Sequence, residues 1–198
     1  MTKYLTVGTK KIEEGLFRSV QDTALTNSMK PKGGLWLTEY NEDIQNYNHW
    51  VDFMLMHPNI LFYKNKDGSV WEQPCSIVTL KDAANILFLD SKEQLDYLMK
   101  NYPYNQDKFS YEKLSQYFDG IFVDLGNLVH GRSGFDVWQK FSSFGVSSLV
   151  LFNLSCIDYY YSGDILIEPF DFENSSYHDR YYDINYQRDK KKVLKKNV

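Results

Sequence analysis

Hydrophobic and polar positions alternate along many short stretches of this chain, and a period of two residues predicts strands. The first two such stretches are residues 3–9 (KYLTVGT) and 35–40 (LWLTEY). Residues 10–34 between them show no sustained period and end in proline and glycine, which predicts a turn and a long ordered loop. Further strands are predicted at 59–65, 69–73, 75–80, 85–90 and 120–129, and two or three more within 146–173.

Apolar residues spaced three and four apart predict helices between these strands. The first predicted helix covers residues 41–57 and stops at Pro58. The second follows a serine cap and ends at a proline, and its inward-facing residues are predicted to be Leu95, Tyr97 and Leu98. The cap of this second helix is Ser91 and its stop is Pro103. Two shorter helices are predicted, one at 110–119 with Ser110 as its cap and one at 135–143.

Strands and helices are mixed without the regular strand–helix–strand rhythm of a parallel doubly wound sheet. The predicted fold class is therefore α+β, with mostly antiparallel strands. No repeat or interior linker interrupts the chain, so residues 1–186 are predicted to form a single domain. Residues 187–198 hold six basic residues and one acidic residue, and they are predicted to be a solvated, disordered tail.

Composition and charge exclude several classes of protein. The net charge of the chain is −4 and that of the basic tail is +5, so residues 1–186 carry −9. Such an acidic body disfavours a surface that binds along the phosphates of a nucleic acid. No run of eighteen apolar residues and no signal peptide is present, so a cytoplasmic protein is expected. The two cysteines, Cys75 and Cys156, lie in apolar surroundings and are interpreted as reduced, strand-borne residues. Scattered histidines and the absence of CxxC and HExxH argue against a metal site.

Aromatic residues make up 17% of the chain, which indicates either a dense core or a site for planar rings. The motifs that mark phosphate cradles and nucleophile elbows are absent: there is no P-loop, no GxGxxG after a strand and no GxSxG. A hydrolase with a nucleophilic triad is therefore not supported. The remaining candidates for a functional site are single predicted strands that carry unusual side chains.

The stretch KPKGGLWLTEY is the first of these strands. Gly33 and Gly34 let another group approach the backbone closely, and that group is either a facing strand or a flat ligand. The strand period places Trp36 and Thr38 on one face, with leucines on the other. An indole beside a hydroxyl suits a nicotinamide or a base. The alternative is that Trp36 is a core residue packed under the helix predicted at 41–57.

The stretch YFDGIFVDLGNLVHG supplies two candidate acids. Asp119 lies at a predicted helix-to-strand corner, where a short acid often makes only a turn bond. Asp124 is predicted to lie within the strand, on the same face as Phe122. It is either at an open strand end in a cleft or paired with a cation such as Arg132 or Arg18. A carboxylate in an aromatic-walled cleft can hold a ribose hydroxyl or stabilise a ribosyl cation.

The order YLTVGT, KPKGGLWLT, HWVDF, YFDGIFV and FGVSSLVLFN, over residues 3–158, resembles small bacterial and phage proteins of the ADP-ribosyltransferase-like group. The resemblance implies a split pair of antiparallel sheets with NAD as co-substrate in the cleft between them. It implies that ADP-ribose is passed to a protein or nucleic-acid acceptor. The positions that it assigns to NAD are Thr6, Gly8, Thr9, Gly34, Trp36, Thr38, Tyr40 and Trp50, and the acid is Asp124 or Asp119.

The chain departs from this group at two positions. Val7 stands where the group often has His or Arg in the first strand, and its side chain cannot hold a ribose or a pyrophosphate. Phe122 stands near where active members carry a glutamate. Either other residues have taken over these polar roles, or the fold has kept its shape and lost the reaction.

Three functions are therefore compared. The first is an NAD-dependent ADP-ribosyltransferase that modifies a bacterial or phage macromolecule. The second is a catalytically inactive acidic inhibitor, for example an anti-CRISPR or other counter-defence protein, which blocks a nucleic-acid-handling protein through Tyr159, Tyr160 and Tyr161. These tyrosines are otherwise a ladder on an edge strand. The third, an RNA-binding module, lacks the basic groove that such modules need.

Overall fold

The computed structural model describes residues 2–24, 28–41, 47–48, 50, 53, 71–128, 134–167 and 182–186. Within these residues the chain is mostly sheet with few helices. The strands are β1 (Lys3–Val7), β2 (Leu35–Asn41), β3 (Tyr47–Asn48), β4 (Trp71–Leu80), β5 (Ile86–Leu89), β6 (Pro103–Asn105), β7 (Lys108–Phe109), β8 (Gly120–Val123), β9 (Ser148–Leu151), β10 (Ile157–Ile167) and β11 (Tyr182–Tyr186). The helices are α1 (Lys92–Asn101), α2 (Tyr111–Leu114), α3 (Leu125–Leu128) and α4 (Gly134–Phe141), and a 3-10 helix, Ser142–Phe144, follows α4.

Nine of the described strands form one sheet in the order β11-β10-β4-β1-β2-β9-β8-β5, and β3 pairs with β2 beside this path. Its strand pairs are antiparallel except for β5 with β8. Strands β6 and β7 form a separate two-stranded sheet. The predicted fold class, α+β with mostly antiparallel strands, is confirmed at this level.

The two faces of the large sheet carry two different cores. Trp36 pairs with Val150 and packs on one face against a cluster that contains residues of the four helices, such as Leu98 and Phe141. Leu37, the next residue along β2, packs on the other face in a cluster with Leu149 and Tyr160. Because successive side chains of a strand point to opposite faces, the predicted division of β2 into a Trp36–Thr38 face and a leucine face is confirmed.

Strands β1 and β2 part before β1 ends. Their register runs from Lys3 opposite Tyr40 to Leu5 opposite Thr38. Beyond Leu5, β1 continues to pair with β4 as far as Val7, whereas residues Leu35–Leu37 of β2 pair with β9. The two halves of the sheet therefore separate at this point, and a cleft opens between them on the helix-covered face.

Strand β4 runs through Pro74 and so joins residues 71–73 of one predicted stretch to the predicted strand 75–80. The Gly8 N–H donates to the Pro74 carbonyl at 2.7 Å, so the polar groups of Pro74 face the end of β1. Both polar groups of a strand residue point toward the same neighbouring strand. The N–H that proline lacks would thus point past the end of the β1 ladder, and no ladder bond is lost.

The predicted helices that follow Ser91 and Ser110 begin where expected, but the second ends at Leu114 and does not extend over the predicted range 110–119. The Ser91 and Ser110 hydroxyls accept hydrogen bonds from the Gln94 and Lys113 N–H groups, at 3.4 and 3.1 Å. The prediction that Tyr97 faces inward was wrong, because its side chain is 58% exposed. Leu95 and Leu98 alone among the three form the buried stripe, as a spacing of three residues requires.

The helix predicted at 41–57 is wrong at three of its described positions, which lie in strands. Asn41 ends β2, and Tyr47–Asn48 form β3 paired with Asn41 and Tyr40. Trp50 and Phe53 are helical, and the other positions of this prediction lie outside the described residues. The predicted strand 59–65 and the tail 187–198 also lie outside them. The prediction that Asp124 lies within a strand was also wrong, because β8 ends at Val123 and α3 begins at Leu125.

Two further observations concern the state of the cysteines and the length of the described helices. Cys75 lies in β4 and Cys156 in the turn before β10, and both are buried free thiols. Burial raises the pKa of each to about 12. Among the described residues, no helix is long and apolar enough to cross a membrane.

Candidate functional site

A cleft of about 140 Å³ lies where β1 and β2 part. Its walls come from the end of β1, the middle of β2, the start of β9 and the loop before β2, together with helical Trp50 and the 3-10 helix that follows α4. The described residues that line it are Leu5, Thr6, Val7, Lys30, Trp36, Leu37, Thr38, Trp50, Phe144 and Ser148. Four of the predicted NAD-binding residues are thus brought together here: Thr6, Trp36, Thr38 and Trp50.

Trp36 forms one wall of the cleft and is also part of the helix-side core. Its Nε1–H donates to the Gly33 carbonyl at 3.0 Å, and its ring lies 5.1 Å from that of Phe144 at an angle of 57°. The hydrogen bond and the ring contact fix the indole in one orientation. Trp36 is therefore half-buried against the helix-side core and also lines the cleft, and its role in binding a planar ligand stays a prediction.

The glycine pair before β2 is explained by close contacts within the protein. A β-carbon on Gly34 would lie 2.7 Å from Val150 Cγ1 and 3.0 Å from the Leu151 oxygen. A β-carbon on Gly33 would collide with the Ser19 carbonyl oxygen. Both glycines also have φ +69°, a left-handed conformation. Of the two groups that the sequence allowed here, it is the facing strand and the adjacent loop, and no ligand is needed to account for the glycines.

Lys30 is a cleft residue that sequence reasoning did not assign. Its Nζ lies 4.5 Å from the centre of the Trp36 ring. Burial lowers the pKa of the ammonium from its ordinary value, and the side chain is half-buried. The signal was present in the sequence, because Lys30 stands directly before Pro31 and the glycine pair at the entry to β2.

Hydroxyl groups and a carbonyl supply the remaining polar surface. Thr38 and Ser148 are buried on the helix-covered face, and the Ser148 hydroxyl donates to the Val146 carbonyl at 2.9 Å. The Gly8 N–H points toward β4, where it meets the Pro74 carbonyl. In a trans peptide the preceding carbonyl points the opposite way, so the Val7 carbonyl points toward the cleft. Val7 therefore offers an acceptor although its side chain cannot.

The other predicted NAD-binding residues do not line this cleft. Tyr40 is buried on the same face of β2, and its register partner is Lys3 at the far end of β1. Gly8 is exposed at the end of β1, with no atom within 4 Å of an added β-carbon. Thr9 and Gly34 line a second groove of about 260 Å³, which also contains Lys11 and Arg18. This groove includes Leu154 of the opposite core, so it lies on the other face of the sheet.

Asp119 is a structural residue at the far end of β8. Its carboxylate accepts hydrogen bonds from the Asn85 N–H at 2.9 Å and from Asn153 Nδ2 at 2.8 Å. Its main chain also bonds to Asn85 and Phe152. These bonds tie the ends of β5, β8 and β9 together, which agrees with the turn role considered for this acid. Asp119 is not among the residues that line the cleft.

Asp124 caps helix α3 at the other end of β8. Its Oδ1 accepts from the Asn127 N–H at 3.1 Å and its Oδ2 from Asn127 Nδ2 at 2.8 Å. The residue before it, Val123, pairs with the cleft residue Ser148, so Asp124 lies one residue beyond the cleft along β8. Five residue steps of about 3.3 Å separate the two aspartates by about 16 Å. The two cannot act at one reaction centre.

The three candidate tyrosines of the alternative function differ in exposure. Tyr160 is 6% exposed and belongs to the core opposite the helices. Tyr159 and Tyr161 are half-buried on the other face of β10. Strand β11 pairs with β10 only from Gly163 onward, so the tyrosine segment pairs with β4 alone in the described sheet. Only Tyr159 and Tyr161 are placed to contribute to a surface.

The described part of the chain contains no group of three or more His, Cys, Asp or Glu residues placed to hold a metal ion. In comparisons with known proteins, no protein-family model matches this chain, and neither a curated protein nor a solved structure matches it.

Proposed function

We propose that this protein is an ADP-ribosyltransferase-like protein whose cleft between β1 and β2 binds the nicotinamide–ribose end of NAD. The observation that carries the proposal is the parting of β1 and β2 after the Leu5–Thr38 pair. It brings two tryptophans, a strand threonine and a lysine around one opening. Planar walls beside hydroxyl and cationic groups are what a nicotinamide nucleotide requires.

The size of the cleft supports a ligand fragment rather than a whole dinucleotide. Pockets that enclose drug-sized molecules measure about 300–1,000 Å³, whereas this cleft measures about 140 Å³. That volume suits one planar ring with part of its sugar. The adenosine half of NAD would then lie outside the cleft, along the surface of the sheet.

The reaction that the proposal implies needs positioning more than covalent chemistry. The bond between ribose C1′ and the nicotinamide nitrogen breaks, and its electron pair leaves with neutral nicotinamide. An acceptor nucleophile then bonds to C1′ and loses its proton. In the proposal Trp36 and Trp50 hold the ring, Thr38 holds the ribose, and Asp124 stabilises the positive charge that develops on the sugar.

A second function is favoured by one specific observation. Both candidate acids are engaged in turn and cap hydrogen bonds, and the described residues that line the cleft include no carboxylate. A cleft that binds without reacting agrees with this arrangement. In that case the protein acts as a catalytically inactive acidic binding protein, and the −9 charge of residues 1–186 favours encounter with a basic, nucleic-acid-handling partner.

The test of NAD binding compares two buried strand threonines. Thr38 lines the cleft, whereas Thr79 lies in β4, and the two are 5% and 7% exposed. NAD should raise the melting temperature of the wild type and of Thr79→Val, and Thr38→Val should lose most of this shift. Equal shifts in both variants, or none in the wild type, would contradict the proposed site.

The test of catalysis uses Asp124→Asn, because asparagine caps a helix about as well as aspartate but carries no charge. Nicotinamide release from NAD should fall at least tenfold in this variant if Asp124 stabilises the transition state. Asp119→Asn serves as the control, since Asp119 lies at the far end of β8. Stabilisation by NAD without release in the wild type would instead support the inactive binding protein.

A further inference from the structure

The cleft contains a cation that has no carboxylate partner in the described structure. The ion pairs among the described residues join Lys10 to Asp164, Lys92 to Asp96 and Lys140 to Asp107, and none includes Lys30. Its main-chain N–H bonds to Ser28, but the ammonium lies against the Trp36 ring. The side chain of Lys30 is thus half-buried in a concave site with an aromatic ring as its described neighbour.

An aromatic ring satisfies a buried ammonium only in part. The strength of a cation–π contact depends on how far the pair is removed from water, and the contact leaves the positive charge without a negative partner. A lysine ammonium has three N–H donors, and the face of an aromatic ring accepts no ordinary hydrogen bond from them. The lowered pKa of Lys30 has the same physical cause, since burial removes water without supplying a negative charge. An anion entering the cleft would supply that charge.

Among the described residues that line the cleft, Lys30 alone carries a charge. The other described lining residues are apolar or carry hydroxyl groups. The aliphatic side chain of Val7 occupies the end of β1, so the first strand provides no cation to the cleft. The loop before β2 provides one instead, on the opposite wall.

We propose that Lys30 is the anion-binding residue of the cleft and that it holds a phosphoryl group of a nucleotide ligand. This inference rests on the proposed function in so far as that ligand is NAD. When the phosphate binds, the ammonium exchanges the face of Trp36 for phosphate oxygens. The face of Trp36 that it leaves is then available to the planar ring of the ligand.

The inference is tested with ligands that differ by one phosphate. Nicotinamide mononucleotide, nicotinamide riboside, NAD and inorganic pyrophosphate are titrated calorimetrically into the wild type, Lys30→Met, Lys30→Arg and Lys32→Met. Methionine keeps an aliphatic stem over Trp36, and Lys32 is an exposed lysine of the same loop that does not line the cleft. Urea denaturation shows whether each variant is folded.

Lys30→Met should weaken the mononucleotide at least tenfold and change riboside binding less than twofold. Lys30→Arg should retain most of the affinity, and Lys32→Met should behave as the wild type. The affinity of the wild type for the mononucleotide should fall with added salt, and that dependence should be smaller in Lys30→Met. Equal losses for both ligands, or no loss for either, would overturn the inference.

The outcomes separate this inference from the proposed function. Binding of NAD that Lys30→Met leaves unchanged sustains the proposed function and overturns the role of Lys30. Binding of pyrophosphate, lost in Lys30→Met, in a wild type that binds neither NAD nor the riboside sustains the role of Lys30 and contradicts the proposed function. A wild type that binds none of the phosphate ligands overturns the anion site.

Discussion

A β-carbon added to Gly34 would lie 2.7 Å from Cγ1 of Val150, although the two residues are far apart in the chain. The contact shows how closely the start of β2 approaches β9. It fixes the position of Trp36, two residues further on, and therefore the wall of the cleft. Gly34 also has φ +69°, so two physical constraints act on this position.

Gly34→Ala should destabilise the protein more than Gly8→Ala does. Both residues have positive φ, which costs an alanine about 1–2 kcal/mol. Only Gly34 adds a steric clash, because no atom lies within 4 Å of a β-carbon at Gly8. Forcing a methyl group into a packed site costs about 1–3 kcal/mol more. Urea denaturation of the two variants measures the difference, and equal free energies of unfolding would show that the β2–β9 contact relaxes freely.

The caps of α1 and α2 provide a second comparison. Ser91→Ala removes one bond to the Gln94 N–H and should cost about 1 kcal/mol. Ser110→Ala should cost about 1–3 kcal/mol more, because the Ser110 hydroxyl also donates to the Asp22 carboxylate. That carboxylate accepts from the Tyr111 N–H as well and ties the loop before β2 to α2. Equal losses of unfolding free energy would mean that water replaces Ser110 at Asp22.

The thiols of Cys75 and Cys156 should be inert in the folded protein near neutral pH. Burial raises the pKa of each to about 12, and the thiolate is the reactive form. Modification by a thiol reagent at pH 8 should be at least tenfold slower in the native state than in urea. A fast reaction of either cysteine in the native protein would contradict its burial.

The same shifts predict how stability depends on pH. A thiol whose folded pKa is raised stays protonated in the native state while the unfolded chain already ionises. Its contribution to stability is complete below about pH 9, the ordinary value, and is lost as the pH rises toward 12. Replacing both cysteines by alanine should therefore reduce the fall in unfolding free energy between pH 8 and pH 11. Tyr4, whose pKa burial raises to about 12, adds a similar loss in both proteins.

Substitutions at residues 159–161, the tyrosine segment of β10, and at Tyr97 should distinguish core positions from surface positions by their effect on the free energy of unfolding. Tyr160→Ala should destabilise the protein by about 3–5 kcal/mol, because its ring belongs to the core opposite the helices. Tyr97→Ala, at a position 58% exposed on α1, should change the unfolding free energy by less than about 0.5 kcal/mol. If the protein binds a partner through this segment, Tyr159→Ala and Tyr161→Ala are the informative variants. Loss of binding in Tyr160→Ala alone would report unfolding.

Local features of the structure followed from the sequence. The strands β1 and β2, the caps at Ser91 and Ser110, and the two faces of β2 were all predicted. Each depends on interactions within a few residues, namely backbone propensity, a cap three residues away or the alternation of side chains. The α+β class followed as well, because it requires only the order of such elements.

Other features were decided by residues that are distant in the chain. Asp124 looked like a strand residue, but β8 ends at Val123 and the aspartate caps α3. The glycine pair permitted either a ligand or a strand, and the contact with Val150 shows that it is a strand. The parting of β1 from β2 arises because β4 holds one strand and β9 the other, and it places Lys30 over Trp36. Pairings of this kind depend on the free energy of the whole sheet, and no local pattern along the chain encodes which strand becomes the neighbour of another.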